Sequence, residues 1–235
     1  MKVLDYIKYW RLFFLVSFIV SSCSETVEQV EDRTKTTEVS DTHAGKVKYY
    51  EFKPDSIPTP ILDGIEIDYA YKIDFKKIVA GYYSPTDDGE LSEKDSENDW
   101  GDRLFLLNDK DEVLYKSKGV GDVYLFEPHF YKNDENNKVI IIYQLAFEYY
   151  FGGEVFIFEK GKVQYIGRID VESFNRENQD VCLTDVVLIN EDNNRLTFKF
   201  DSDSLIINPG GIDEEIKLND GFQYIFENQE FKLKK

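Results

Sequence analysis

Apolar and polar residues alternate along most of the chain. Runs such as IEIDYAYKI (65–73), VQYIGRIDV (163–171), RLTFKF (195–200) and EFKLK (230–234) carry an apolar or aromatic side chain at about every second position. This is the period of a half-buried strand. KVKYYEF (46–52), KIVAGYY (77–83), RLFLLN (103–108), DVYLFE (122–127), KVIIIYQLAFEYY (138–150), EVFIFE (154–159), DVVLIN (185–190), SLIIN (204–208), EEIKL (214–218) and FQYIF (222–226) extend the series to about fourteen strands. KVIII does not alternate, so it reads as a strand buried on both faces, central in its sheet. No segment has the period of a long amphipathic helix; ESFNRENQD (172–180) suits a short helical turn or a loop.

Short polar joints separate the runs. RLFLLN-DKDE-VLYKS, VFIFE-KGK-VQYIG, RLTFKF-DSD-SLIIN and FQYIF-ENQ-EFKLK each read as strand, turn, strand. Asp, Asn and Gly suit such turns because they tolerate left-handed backbone or bond their own backbone. The expected fold is all-β, with antiparallel meanders and hairpins forming a β-sandwich or an open, barrel-like domain. A small propeller-like arrangement is the alternative, although no motif recurs at a fixed period.

The first 45 residues follow another pattern. Lys2, Lys8 and Arg11 precede Leu12–Val20, which is apolar except for Ser17. That stretch is shorter than the roughly 20 residues a membrane span needs and matches the core of a secretory signal. Val20-Ser21-Ser22-Cys23 then resembles the lipobox of bacterial membrane lipoproteins: an aliphatic residue, two small residues, a cysteine. Asp5, Tyr6, Tyr9 and Trp10 make the start more aromatic than that pattern usually is. The resemblance implies cleavage before Cys23, a diacylglyceryl group on its sulfur, and a further acyl chain such as palmitate on its amino group. One acyl chain holds a protein to a membrane only marginally; two or three hold it firmly. Ser24 stands where an aspartate would signal inner-membrane retention, which favours the outer membrane. Glu25, Glu28, Glu31 and Asp32 resemble the acidic tags of surface-exported lipoproteins, leaving the periplasmic face and the cell surface both open. The expected organisation is a signal peptide (1–22), lipidated Cys23 with a polar tether (23–45), and one all-β domain (46–235).

Charge narrows the partners. The 235 residues carry a net charge of −18, and losing the basic leader would bring it near −20. A nucleic-acid binder needs the opposite sign, so none is expected, and the lipid anchor is left as the attachment to membrane. Cys182 is the one cysteine after Cys23. It lies in an apolar run and reads as a small core residue.

Few catalytic designs are available. His43 falls in the tether, and His129, in EPHFY at the end of a predicted strand, reads as a partly exposed loop residue. Neither a G-x-S-x-G elbow nor a phosphate-binding glycine loop is present, and zinc lacks ligands. Calcium, the one candidate cofactor, takes six to eight oxygens. The long acidic loop 84–102 offers Asp87, Asp88 and Glu90 around Gly89, and also Asp95, Asp99 and Asp102. For glycoside hydrolysis, which needs two facing acids, Glu148 and Glu154 are the least arbitrary pair. They flank FEYYFGG, which reads as a tight hairpin turning at Gly152-Gly153, with Tyr149 and Phe151 as an outward aromatic platform for a sugar or protein. The expected function is that of a membrane-anchored, non-enzymatic lipoprotein binding a protein or glycan at the cell envelope. A carboxylate-based hydrolase of an envelope or carbohydrate polymer and an acidic inhibitory or protective lipoprotein are the alternatives.

Overall fold

The computed structural model describes residues 46–174 and 181–235. The expected signal peptide, Cys23 and the tether lie outside the described residues, as does most of the 172–180 loop. The chain opens with β1 (Lys46–Lys48), β2 (Tyr50–Phe52) and β3 (Asp55–Ser56). There follow β4 (Ile65–Ile73), β5 (Lys76–Tyr83), β6 (Arg103–Leu107) and β7 (Val113–Lys116). Next come β8 (Leu125–Lys132), β9 (Val139–Ala146), β10 (Tyr150–Glu159), β11 (Lys162–Ile169) and β12 (Val171–Ser173). A single turn of helix, α1 (Leu183–Val186), leads into β13 (Val187–Asp192), β14 (Arg195–Phe200), β15 (Ser204–Ile207), β16 (Glu215–Leu218), β17 (Gln223–Glu227) and β18 (Glu230–Lys234).

Every pairing between these strands is antiparallel. The strands build an all-β, sandwich-like stack of sheets. The central sheet runs β11-β10-β9-β8-β2; β3 to β7 form a meander in sequence order; β1-β13-β14-β17-β18 form a third sheet, and β12-β15-β16 a small fourth. Two cores explain the stacking. Ile140, Ile142, Val155 and Ile157 of the central sheet meet Ile189, Leu196, Phe198 and Tyr224 on one side. On the other side Ile141, Tyr143, Phe156 and Phe158 meet Ile78, Ala80, Leu104 and Leu106. Strand β9 therefore feeds both cores, and its lack of alternation follows from that.

Several joints differ from the sequence expectation. The residues DSD (201–203) do not make a hairpin: β14 pairs with β13 and β17, whereas β15 pairs with β12 and β16. The chain changes sheets there, and Asn219 Nδ2 satisfies the corner by donating to the Phe200 and Ser202 carbonyls at 2.7 and 2.9 Å. The run DVVLIN begins as helix because Asp185 reaches back to accept the Cys182 N–H at 2.9 Å, closing a turn before β13 starts. The run 138–150 is two strands. Its hairpin turns at Phe147–Tyr149, closed by Phe147 N–H to Tyr149 O at 3.1 Å, and Gly152-Gly153 lie inside β10. Strand β8 continues through Pro128 and His129; β2 covers it only from Phe130 onward, and a proline is tolerated beside an uncovered stretch.

Candidate functional site

Strand β11 is the edge of the central sheet, and its irregularity creates a site. From Glu159↔Lys162 to Phe156↔Tyr165 it pairs regularly with β10; the register then shifts, and Val155 faces Gly167 while Glu154 faces Arg168. Ile166 is the extra residue of a bulge. In a regular strand Tyr165 and Arg168, three apart, would point to opposite faces. The bulge sets both opposite Phe156 and Glu154, on the face turned toward the β3–β7 sheet.

There they line a cleft of about 440 Å³. Tyr165 Oη donates to Glu154 Oε2 at 2.7 Å. Arg168 lies over the Phe151 ring, 5.3 Å from its centroid, with Nη1 3.9 Å from Glu154 Oε1. Its Nε is 2.8 Å from Asp170 Oδ1, at an angle that makes no hydrogen bond. Phe126 and Phe156 form the floor. The far wall is Tyr115 of β7 and the segment after that strand, including Lys118 and the Gly119-Val120-Gly121 turn. Ser117 fastens that wall by accepting the Leu104 N–H at 3.0 Å; Gly119 donates to Asp99 Oδ1 at 2.7 Å. Trp100 packs so closely on Gly121 that a Cβ there would overlap its indole.

Burial raises the Glu154 carboxyl above its ordinary range, against the Tyr165 hydroxyl and Arg168, which lower it. Burial and the Glu154 charge raise the Tyr165 phenol strongly, so it stays a donor. The cleft thus offers a half-buried phenol ring, a carboxylate, a guanidinium, an ammonium and apolar walls.

The two rings of the expected aromatic platform, Tyr149 and Phe151, pack edge to face with centroids 6.4 Å apart. Tyr149 is exposed, but Phe151 is half-buried and serves as the shelf under Arg168. Tyr124, which the sequence pattern did not single out, extends the exposed surface by stacking on Phe147 with centroids 4.6 Å apart. Of the candidate acid pair, Glu154 lines the cleft while Glu148 is exposed on the Phe147–Tyr149 turn, and Glu154 is the one acid in the cleft lining.

Asp87, Asp88 and Glu90 are exposed on a turn closed by Gly89 N–H to Thr86 O at 2.8 Å. Among the described residues no group of three or more His, Cys, Asp or Glu side chains could hold a metal ion. Asp95 and Asp99 turn inward to Arg103, which has no exposed surface. Arg103 pairs with Asp95, donates Nη1 to Asp99 Oδ1 at 3.1 Å and Nε to Gly101 O at 3.2 Å, and lies 4.7 Å from the Tyr83 centroid. Asp102 is pushed up to about 6 by burial and then by Asp68.

His129 and Cys182 come closer than their sequence positions suggest. His129 Nδ1 is 2.9 Å from Glu51 Oε1, its Nε2 is 3.4 Å from Thr184 Oγ1, and that oxygen is 3.1 Å from Cys182 Sγ. This is a correction to the loop-end position expected for His129, which is inside β8. The arrangement is not a nucleophile and base. Burial chiefly, and Asp185, push the Cys182 thiol up to about 11, and it donates to Asp185 Oδ2 at 3.2 Å.

Comparison of the chain with protein-family models, with curated proteins and with solved structures returns no match. Fold and site together define a class by architecture alone: a stack of antiparallel sheets with an aromatic-walled cleft at the bulged edge of its central sheet.

Proposed function

We propose that this is a lipid-anchored envelope protein, attached through Cys23, whose β domain binds a glycan in the cleft between β10–β11 and the 115–121 segment. The carrying observation is the cleft lining: the half-exposed Tyr165 ring beside a buried carboxylate and a guanidinium. Aromatic faces stack on the apolar faces of sugar rings, while a few converging polar groups orient the hydroxyls. A hydrolytic reading is less favoured, because glycoside hydrolysis uses two acids about 5 to 9.5 Å apart and Glu154 is the one acid in this lining.

Trp100, packed on the Gly121 turn of the cleft, is the natural reporter. The full-length protein in detergent micelles, titrated with a panel of oligosaccharides, should show a saturable change in tryptophan fluorescence. Tyr165→Ser should weaken that binding at least ten-fold. Saturable binding that Tyr165→Ser leaves intact would move the site elsewhere, and silence across the panel would end the glycan reading. Cys23→Ala should release the protein from membranes and abolish lipid labelling; retention in the membrane fraction would end the anchor reading.

A further inference from the structure

Resting on the glycan reading of the cleft, we infer that its ligand is an acidic sugar, whose carboxylate is gripped by Arg168 with Lys118 alongside. The two arginines that begin and end this region show why. Arg103 is saturated: buried, forked between two aspartates and a carbonyl, it holds the fold together. Arg168 is the reverse. Its side chain keeps about a third of its exposure, and among the described residues its guanidinium donates no hydrogen bond. Glu154 Oε1 stands 3.9 Å off, beyond hydrogen-bond reach, and the other oxygen of that carboxylate is occupied by Tyr165. Asp170 sits beside Nε without the angle to accept from it. Phe151 beneath the guanidinium holds it in place. A planar fork of donors, fixed on an aromatic shelf and flanked by two carboxylates that accept no hydrogen bond from it, matches a further carboxylate bidentately.

Charge points the same way. The chain carries −18, yet the cleft lining has two cations, Lys118 and Arg168, against the single acid Glu154. The larger cleft near Phe200 is lined by Asp201 and Asp203, with no cation among the described residues. A cleft near Tyr50 sets Lys53, Lys72 and Lys132 against Asp55, Asp74 and Asp134. Two cations thus stand in the lining of the aromatic-walled cleft, with Glu154 in the lining and Asp170 beside Arg168 as their counter-charges. Phosphate esters suit it less well than a sugar acid, because the buried Glu154 would repel a dianion more than a singly charged carboxylate.

The full-length protein in detergent is titrated with digalacturonate and with its neutral counterpart, digalactose, following Trp100 fluorescence and heat. Digalacturonate should bind at least ten-fold more tightly. Arg168→Gln should lower affinity for it roughly ten- to hundred-fold, the range for a charge-assisted hydrogen bond to an ion. Arg168→Lys, which keeps the charge and loses the fork, should lower it less; it also keeps the test valid if the glutamine variant fails to fold. Equal binding of the two sugars overturns the inference and leaves the glycan cleft standing. A preference that survives both Arg168 variants overturns the role of the guanidinium. Binding of neither sugar overturns the inference and counts against the cleft reading as well.

Discussion

At the scale of single residues, one guanidinium takes the place expected for a cation. The carboxylates Asp95 and Asp99 look in the sequence like calcium ligands because a loop so rich in acids invites a positive partner. Arg103 supplies it from the first position of the next strand, a place where an arginine reads as an ordinary flank. The Asp95 side chain is only 4% exposed, so removing Arg103 would strand a buried negative charge. Breaking a buried pair from one side costs about 3–5 kcal/mol. Arg103→Met should therefore lower the unfolding free energy by about 3 kcal/mol in urea titrations. Adding Asp95→Asn and Asp99→Asn should recover part of that loss, because the stranded charges go with them. If Arg103→Met cost less than about 1 kcal/mol, the pair would be behaving like a surface salt bridge. EDTA should leave the same midpoint in place, since the counter-charge belongs to the chain.

At the scale of elements, strand identity was legible and strand edges were not. Alternation marks β4, β11, β14 and β18, and its absence marks β9, because side-chain period reports which faces are buried. Three kinds of feature leave no such trace. The 201–203 corner has the same polar residues as a hairpin turn, and only Asn219, sixteen residues further on, makes it a crossing between sheets. The β9–β10 turn uses Phe147, Glu148 and Tyr149, which carry none of the usual turn residues. The β11 bulge, which assembles the cleft, is a matter of register, and register depends on partners distant in sequence. Gly152-Gly153 did signal unusual backbone, but for a different purpose: Gly152 has φ +89° inside β10, and a Cβ there would overlap the Ile169 carbonyl oxygen. Gly152→Ala should cost about 3 kcal/mol from the strained backbone. It should also weaken oligosaccharide binding, because Ile169 directly follows Arg168 on β11. Full stability and full binding in this variant, by urea titration and Trp100 fluorescence, would show that the β10–β11 register does not depend on the glycine.

At the scale of the whole molecule, acidity and burial act together. The strong negative charge was visible in composition, but which acids the fold buries was not, because burial depends on how the sheets stack. Glu172 is held inside by the Gln144 side chain and the Gly152 and Ser173 N–H groups at 2.9–3.1 Å. Burial still outweighs these donors and pushes its carboxyl up to about 7. Asp102 is pushed up to about 6, and Glu154 is raised as well, both chiefly by burial. Each group binds its proton more tightly folded than unfolded. Between the ordinary carboxylate range near pH 4 and the raised values near 7, the folded state therefore holds more protons. Stability is then greatest at the acidic end of that window and falls as pH rises through it; repulsion among the net −18 charges adds to the same trend. Even discounted for the partial exposure of Asp102, a linkage of about 2 kcal/mol should raise the melting temperature by roughly 5 °C on going from pH 8 to pH 5.5. Salt at pH 8 should recover the repulsive part and leave the burial part. Glu172→Gln should flatten the profile above pH 6, even if the loss of one acceptor lowers stability throughout. A melting temperature that rose from pH 5.5 to 8 would mean that these carboxyls are ionised at little cost in the folded protein, and that the three acids are better solvated than the packing of the sheets allows.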